Sequence, residues 1–146
     1  MSPGLASGWT ITLEAAPTEE DFAAIFRPLD WETAQVTGPC AIRPLALLLR
    51  NAQGQPAGGI WGRVVYQWLV IEMLYVPPPC RGAGIGHALM RQAEKVAVAH
   101  SCIGLHITRL DFQAPRFYEA LGFTTFGVQQ DVPPGHCCYY MAKRIG

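Results

Sequence analysis

The chain lacks an excess of charge of either sign: 11 basic and 11 acidic side chains in 146 residues leave a formal net charge of zero. Such a balance gives no broad electrostatic hold on nucleic acid or on an anionic membrane, though it is compatible with a local patch. Long hydrophobic runs are also missing, since no stretch approaches the roughly 18 apolar residues that a membrane span requires. Residues 1–17 have no basic start followed by an unbroken apolar core, so a secretory leader is not expected and the chain reads as cytoplasmic. Of the five cysteines, Cys40, Cys80, Cys102, Cys137 and Cys138, no two form a C-x-x-C pair and the number is odd. A zinc site and a disulfide framework are therefore both disfavoured, and no metal is expected. Most of the cysteines read as small hydrophobes, while Cys80, beside the glycine-rich turn described next, is expected to be accessible.

What is present is organised around residues 68–100. An apolar run over 68–76 is followed by three prolines, the turn Arg81-Gly82-Ala83-Gly84-Ile85-Gly86, and then a helical pattern. Ile85, Leu89, Ala93, Val96, Ala97 and His100 recur at three- and four-residue steps and form one stripe suited to packing on a sheet. The first turn of this helix is poor in side chains, so its free backbone N–H groups stay open. Those donors, the positive end of the helix and the Arg81 guanidinium together suit a phosphate or pyrophosphate.

Two familiar phosphate loops are absent. The dinucleotide signature G-x-G-x-x-G, begun at Gly82 and Gly84, would need its third glycine where His87 stands. A nucleoside triphosphate loop would need Gly-Lys-Ser/Thr, and here Gly86 is followed by His87-Ala88. The spacing that does occur is R-x-x-G-x-G, written by Arg81, Gly84 and Gly86 directly after an apolar strand that ends in Leu74-Tyr75-Val76-Pro77. In that setting it resembles motif A of the GCN5-related N-acetyltransferases (GNAT), where these backbone amides hold the pyrophosphate of acetyl-coenzyme A. A second run, Ala114-x-x-x-Tyr118-Glu119-x-Leu121-Gly122-Phe123, resembles motif B of the same family. Phe112-Gln113-Ala114 and Pro133-Pro134-Gly135-His136 bring it nearest to small bacterial members. One departure stands out: many relatives have asparagine where this chain has Asp111, and an ionised carboxylate accepts hydrogen bonds but donates none. A contact between Asp111 and coenzyme A is therefore in doubt, and the acceptor amine or solvent is its expected neighbour.

Elsewhere Ile11-Thr12-Leu13-Glu14 reads as a first strand. Thr18 is the expected cap of a helix with Glu19, Glu20 and Asp21 in its first turn and Phe22, Ile25 and Phe26 as its buried face. Asp21 matches a capping box only in part, and Pro28 should stop or kink the helix end. Over residues 29–44 a second short helix and an ordered loop both fit. Strands over 45–50, 57–65 and 68–76 form an antiparallel meander, the glycines of the second marking bulges or close backbone approach. A fifth strand covers 102–108. A short helix with Pro115 near its start and Gly122 as its cap follows, and then strands from Phe123 and from Cys137 to Lys143 are joined by a turn.

The expected architecture is a single α/β (α+β) domain over residues 1–146. As the resemblance implies, it carries a mixed, twisted sheet of six or seven strands, helices on both faces, and a splay between strands four and five that receives acetyl-coenzyme A.

Acetyl transfer to an amine needs a held thioester, a neutral amine, an oxyanion donor and a proton for the departing thiolate. By resemblance, the backbone of Leu74, Tyr75 and Val76 would pair with the pantetheine arm and supply the oxyanion donor. The loop Arg81, Gly82, Ala83, Gly84, Ile85 and Gly86 would hold the pyrophosphate, with Gln113 and Tyr118 also at the cofactor. Tyr118 is the candidate general acid, since a phenol of reference pKa about 10 suits a thiolate; a core tyrosine is the plain alternative. Glu72, a carboxylate inside an apolar strand, is the candidate base or amine anchor; the alternative is a solvent-facing residue or an ion pair with Arg63. Trp31, Glu32, Asp111 and His136 are candidate acceptor-binding residues, with Asp131, Trp61, Trp68 and Phe112 as further possibilities. The resulting expectation is an N-acetyltransferase acting on a primary amine of a small cationic molecule, by direct attack in a ternary complex and without nucleic-acid or membrane partners. An acceptor that is a protein N-terminus or lysine, and a non-catalytic acyl-coenzyme A sensor, remain the alternatives. A homodimer is implied only by the habit of relatives.

Overall fold

The computed structural model describes Gly4 and residues 6–114 and 116–146. Its contacts group into two compact units, Met1–Cys40 and Ala41–Gly146. Pro115, expected near the start of the second-motif helix, lies outside the described residues.

The first unit is built on one helix, α1 (Glu19–Thr37). Thr18 caps it. The Asp21 N–H donates to Thr18 Oγ1 at 3.2 Å and the Thr18 N–H donates to Asp21 Oδ2 at 2.8 Å, so the capping box is complete with the shorter acid in place of glutamate. Pro28 neither stops the helix nor leaves a second element to form, because α1 runs through it to Thr37. Proline removes one backbone hydrogen bond, and Thr33, Gln35 and Thr37 then each donate a side-chain bond back to the carbonyl four residues earlier, reinforcing the turns beyond it. The expected buried face also fails: no residue of α1 is buried, and Phe22 stacks on Phe26 with ring centroids 5.4 Å apart. Among its described residues the unit holds no second helix or strand for the stripe to pack on. Nor do Ile11 to Glu14 form a strand, since a strand gains its hydrogen bonds only from a partner and the described residues of this unit supply none.

The second unit holds a six-stranded mixed sheet in the order β1-β2-β3-β4-β6-β5. Its strands are β1 (Arg43–Arg50), β2 (Pro56–Val65), β3 (Trp68–Tyr75), β4 (Gly104–Leu110), β5 (Thr124–Gln130) and β6 (Cys137–Arg144). All ladders are antiparallel except β3–β4, so the sheet is mixed and the meander falls on the expected segments. Backbones approach closely in β2, where a Cβ on Gly62 would lie 2.5 Å from the Val70 carbonyl oxygen. Where β2 meets β3, Trp61 pairs with Met73 and Gly62 with Ile71, which leaves Glu72 as the extra residue of a bulge.

Helix α2 (Ile85–Ala99) packs on this sheet. Leu89, Ala93 and Ala97 of the expected stripe are buried, and Met90 joins them. His100 does not belong to it: the helix ends at Ala99 and His100 is its exposed cap. Leu69, Ile71, Leu105, Ile107 and Met141 form the sheet side of the same core. After α2 the chain turns through Ser101, whose φ is 57°, and the Cys102 N–H donates to the Ala97 carbonyl at 2.8 Å. Cys102 and Ile103 are thus taken up by the turn, and β4 starts two residues later than expected and runs on through Arg109 and Leu110. Helix α3 (Phe117–Ala120) is a single turn closed by Gly122 at φ 92°. No helix among the described residues is long and apolar enough to cross a membrane.

Candidate active site

The site begins where the parallel ladder stops. β3 and β4 pair from Trp68↔Gly104 to Ile71↔Ile107 and no further, so Glu72, Met73, Leu74 and Tyr75 diverge from Thr108, Arg109 and Leu110. A cleft of about 940 Å³ opens between them. The ends of both strands line it, together with the loop after β3, the first turn of α2 and α3.

At the loop end, Gly82 and Gly84 take φ of 81° and 77°, a region open to glycine at little cost. Gly84 is the N-cap of α2 and has no side chain to cap it, and the first intrahelical bond runs from the Ala88 N–H to the Gly84 carbonyl. The N–H groups of Ile85, Gly86 and His87 therefore have no carbonyl of the preceding turn to meet and point out of the helix end. A Cβ on Gly82 or Gly84 would have nothing within 4 Å. Open space over a row of donors suits a bulky anion such as a pyrophosphate. Arg81 borders the loop; its Nε donates to the Val76 carbonyl at 2.9 Å and its guanidinium lies 5.8 Å from the centre of the Tyr75 ring. A Cβ on Gly86 would sit 3.2 Å from the Phe117 ring, so the absence of a side chain there lets α2 and α3 meet.

Leu74, Tyr75, Val76, Arg81, Gly82, Gly84, Ile85, Gly86, Gln113 and Tyr118, all singled out from the sequence for the cofactor, line this one cleft. Ala83 is exposed in the same loop and is not part of the lining. The Gln113 side-chain oxygen accepts from the Leu110 N–H at 2.9 Å, closing the turn that leads to α3.

Tyr118 is carried on α3 and packs against the core, its ring edge-on to Phe117 and Phe123. Burial pushes its phenol above the usual value and the Arg109 charge pulls it part of the way back. Glu72 lines the cleft from the other strand. Its Oε1 is 2.8 Å from Arg63 Nε and both side chains are partly exposed, at 39% and 44%. Arg63 lies between Gly62 and Val64, which face the core, so the ion pair projects from the sheet face opposite α2. Tyr118 and Glu72 thus reach the cleft from its two sides.

The remaining candidates fall elsewhere. Asp111 and His136 are brought together: Asp111 Oδ1 is 2.9 Å from His136 Nδ1, and Asp111 Oδ2 accepts from the Cys137 N–H at 3.0 Å. Desolvation pulls the Asp111 carboxyl upward, but the bonds from Cys137 and His136 outweigh it and hold the group below its ordinary value. This clasp ties the end of β4 to the start of β6 and touches the cleft through Phe112, whose ring is 5.0 Å from that of His136. Asp131 accepts from the Gly135 N–H at 3.3 Å within its own turn. Trp31 and Glu32 lie on α1, in the first unit, both exposed. Trp61 is half-exposed on β2, and Trp68 lies against Gly104 and Arg144.

Arg109 was not singled out from the sequence. It is 5% exposed, lines the cleft, and holds its guanidinium 4.4 Å from the centre of the Tyr139 ring. Its signal was present: Leu105, Ile107 and Arg109 share one parity in β4, and the first two are buried, so an arginine had to face inward.

A mixed sheet splayed at its one parallel pair, with a bare helix N-terminus at one end of the splay and a phenol beside it, defines an acyl-coenzyme A dependent transferase. The chain belongs to the acetyltransferase (GNAT) family, whose profile matches residues 10–123. Blasticidin-S acetyltransferase of Streptomyces morookaense is 36% identical over 107 residues, covering 70% of this chain and 79% of that protein. Acetyltransferase Atu2258 of Agrobacterium fabrum is 33% identical over 103 residues, covering 70% and 75%. Among solved structures, a candidate acetyltransferase from Agrobacterium tumefaciens superposes with a TM-score of 0.86 at 30% identity, covering 94% of this chain and all of that one. The chain is accordingly an acetyl-coenzyme A dependent acetyltransferase that acts on an amine.

Proposed function

We propose that the acceptor is a primary amine of a small cationic molecule, acetylated by direct attack in a ternary complex in the cytoplasm. The observation that carries this reading is the placement of Glu72 and Tyr118 on opposite sides of the splay. An amine arriving on the Glu72 side can lose its proton there and attack the carbonyl, while the thiolate departs on the Tyr118 side and is protonated by the phenol. No cysteine need act as a nucleophile, because both reactants meet in the one cleft. Among the described residues that line it, Glu72 is the only carboxylate, which makes it the group to receive an ammonium and take its proton.

A small acceptor is supported by a relative named for blasticidin S. In the same reading the leucine, tyrosine and valine after the bulge lie along the pantetheine arm, and the loop from Arg81 to Gly86 takes the pyrophosphate. Two copies would associate through β5, an edge strand with Phe126 and Val128 exposed; sedimentation at several concentrations tests that association.

Calorimetric titration with acetyl-coenzyme A, followed by thiol release over a panel of amines, tests the function. Saturable binding with release on one class of small cationic amine is the expected result. Release only on peptides would replace the small acceptor with a protein, and binding without release on any amine would leave a sensor.

A further inference from the structure

Arg63 and Glu72 are brought together by the register of β2 on β3. Arg63 is the ladder partner of Val70, and Glu72 stands two residues beyond Val70, so the two are diagonal neighbours within reach of long side chains. On the sheet face opposite α2 they close to 2.8 Å between Arg63 Nε and Glu72 Oε1. Glu72 is also the extra residue of the bulge and lines the cleft, whereas Arg63 is not part of the lining. One carboxylate therefore belongs both to the cleft and to an ion pair anchored outside it.

That pair is a poor stabiliser of the fold. Both side chains are partly exposed, and a charge contact screened by water and salt contributes little to folding. Its effect on the carboxylate is of another kind. Glutamate has three side-chain torsions to fix, and a contact at one oxygen limits them. A carboxylate offers about four acceptor sites, so a second cation can share it with the first. An ammonium entering the cleft thus meets a carboxylate whose orientation is already set, and less freedom is lost on binding.

We propose that Arg63 is a positioning residue for the acceptor amine, holding Glu72 from outside the cleft in the orientation that receives the ammonium. The inference rests on Glu72 being the group that binds the acceptor, as proposed above. Arg63 neither touches the acceptor nor takes its proton; it acts through the carboxylate. Its own charge opposes the incoming ammonium, but beyond contact distance and with solvent at hand that repulsion is screened, and the orienting contact prevails.

The test measures amine affinity by calorimetric titration into enzyme saturated with coenzyme A, which needs no turnover. The probe is the small cationic amine that gives the fastest thiol release. The parent is compared with Arg63→Met, Arg63→Lys, Glu72→Ala and the double variant Arg63→Met with Glu72→Ala. Arg63→Met should weaken amine binding by about two- to fivefold, the scale of a partly exposed charge contact, with acetyl-coenzyme A affinity and melting temperature unchanged. Arg63→Lys, which keeps the charge, should restore most of the loss. In the Glu72→Ala background Arg63→Met should change nothing further, because a residue that acts through the carboxylate has no effect without it. An equal loss in both backgrounds would make Arg63 a structural residue or a direct contact of the acceptor, and would overturn the proposal. Unchanged or tighter amine binding in Arg63→Met, with Glu72→Ala still weakened, would also overturn it and leave Glu72 in place. Amine binding and turnover at the parent level in Glu72→Ala would remove the anchor itself, and the inference together with the reading on which it rests.

Discussion

Residues 68–71 of β3 and 104–107 of β4 are hydrogen-bonded partners, and Leu69, Ile71, Leu105 and Ile107 among them are buried. One residue further along, the same strands part company, and Glu72, Met73, Tyr75 and Thr108 are exposed to the cleft. The two halves differ in what satisfies their backbones. Where they pair, the two edges satisfy one another and can be apolar throughout; beyond Ile71 and Ile107 the strands stay paired on their outer sides, to β2 and β6, but the edges facing the splay lose their partner, and the proposed pantetheine arm would bind there as an added strand. With the function proposed above, stability is expected from the first half and chemistry from the second, and substitutions should separate the two.

The largest effect is expected in the open half. Tyr118→Phe should lower kcat by about 10² to 10⁴-fold, the range usual for a lost acid–base group, with acetyl-coenzyme A affinity and melting temperature nearly unchanged. Stopped-flow thiol release under saturating acetyl-coenzyme A measures it, and an undiminished rate would sink the assignment. In the closed half, Leu105→Ala removes a fully buried side chain and should cost about 2–5 kcal/mol of stability by denaturant titration, while kcat per folded molecule stays near the parent value. A loss of activity without a loss of stability would break the division between the halves.

Gly84→Val should act on the loop with a smaller effect. Its φ of 77° disfavours a side chain by about 1–2 kcal/mol, so acetyl-coenzyme A binding should weaken by roughly tenfold, readable by calorimetry. An unaltered dissociation constant would contradict the pyrophosphate cradle. The smallest effect belongs to the clasp behind the cleft. Because the Asp111 carboxyl is held below its ordinary value in the fold, its contribution is present above the unfolded carboxylate pKa and fades as pH falls through the folded one. Asp111→Asn should therefore be less stable than the parent near neutrality, with the gap closing in acid. Urea midpoints measured across that range decide it, and a gap independent of pH would show that the charge is not what holds His136 and Cys137.

Much of the second unit was legible because its signals are local. An apolar run, a glycine turn and a helical stripe determine β3, the loop and α2 almost without reference to the rest of the chain, and Tyr118 follows from its own short motif. What was not legible depends on partners. Ile11 to Glu14 have strand composition but no ladder. Pro28 is a breaker in isolation, yet α1 passes through it. Glu72 was read with the Arg63 pairing as the plain alternative, and that pair is formed. Asp111 was considered for the acceptor or solvent, whereas both of its oxygens are engaged across 25 and 26 residues of sequence, a distance no spacing argument covers. Arg109 was missed because the strand was drawn to end one residue before it.

The bulge at Glu72 acts as a phase shifter. Before it the odd-numbered side chains Leu69 and Ile71 point into the core; after it the even-numbered Leu74 and Val76 pack there, and Met73 and Tyr75 are exposed. A regular pairing that kept every residue would carry the first phase through, turning Met73 and Tyr75 inward and Leu74 and Val76 out; the one extra residue is what prevents it. In the proposed placement of the acyl donor, the edge it meets thus depends on a count of residues as much as on their identities, and inserting a further residue at this point should be far less tolerated than most substitutions there.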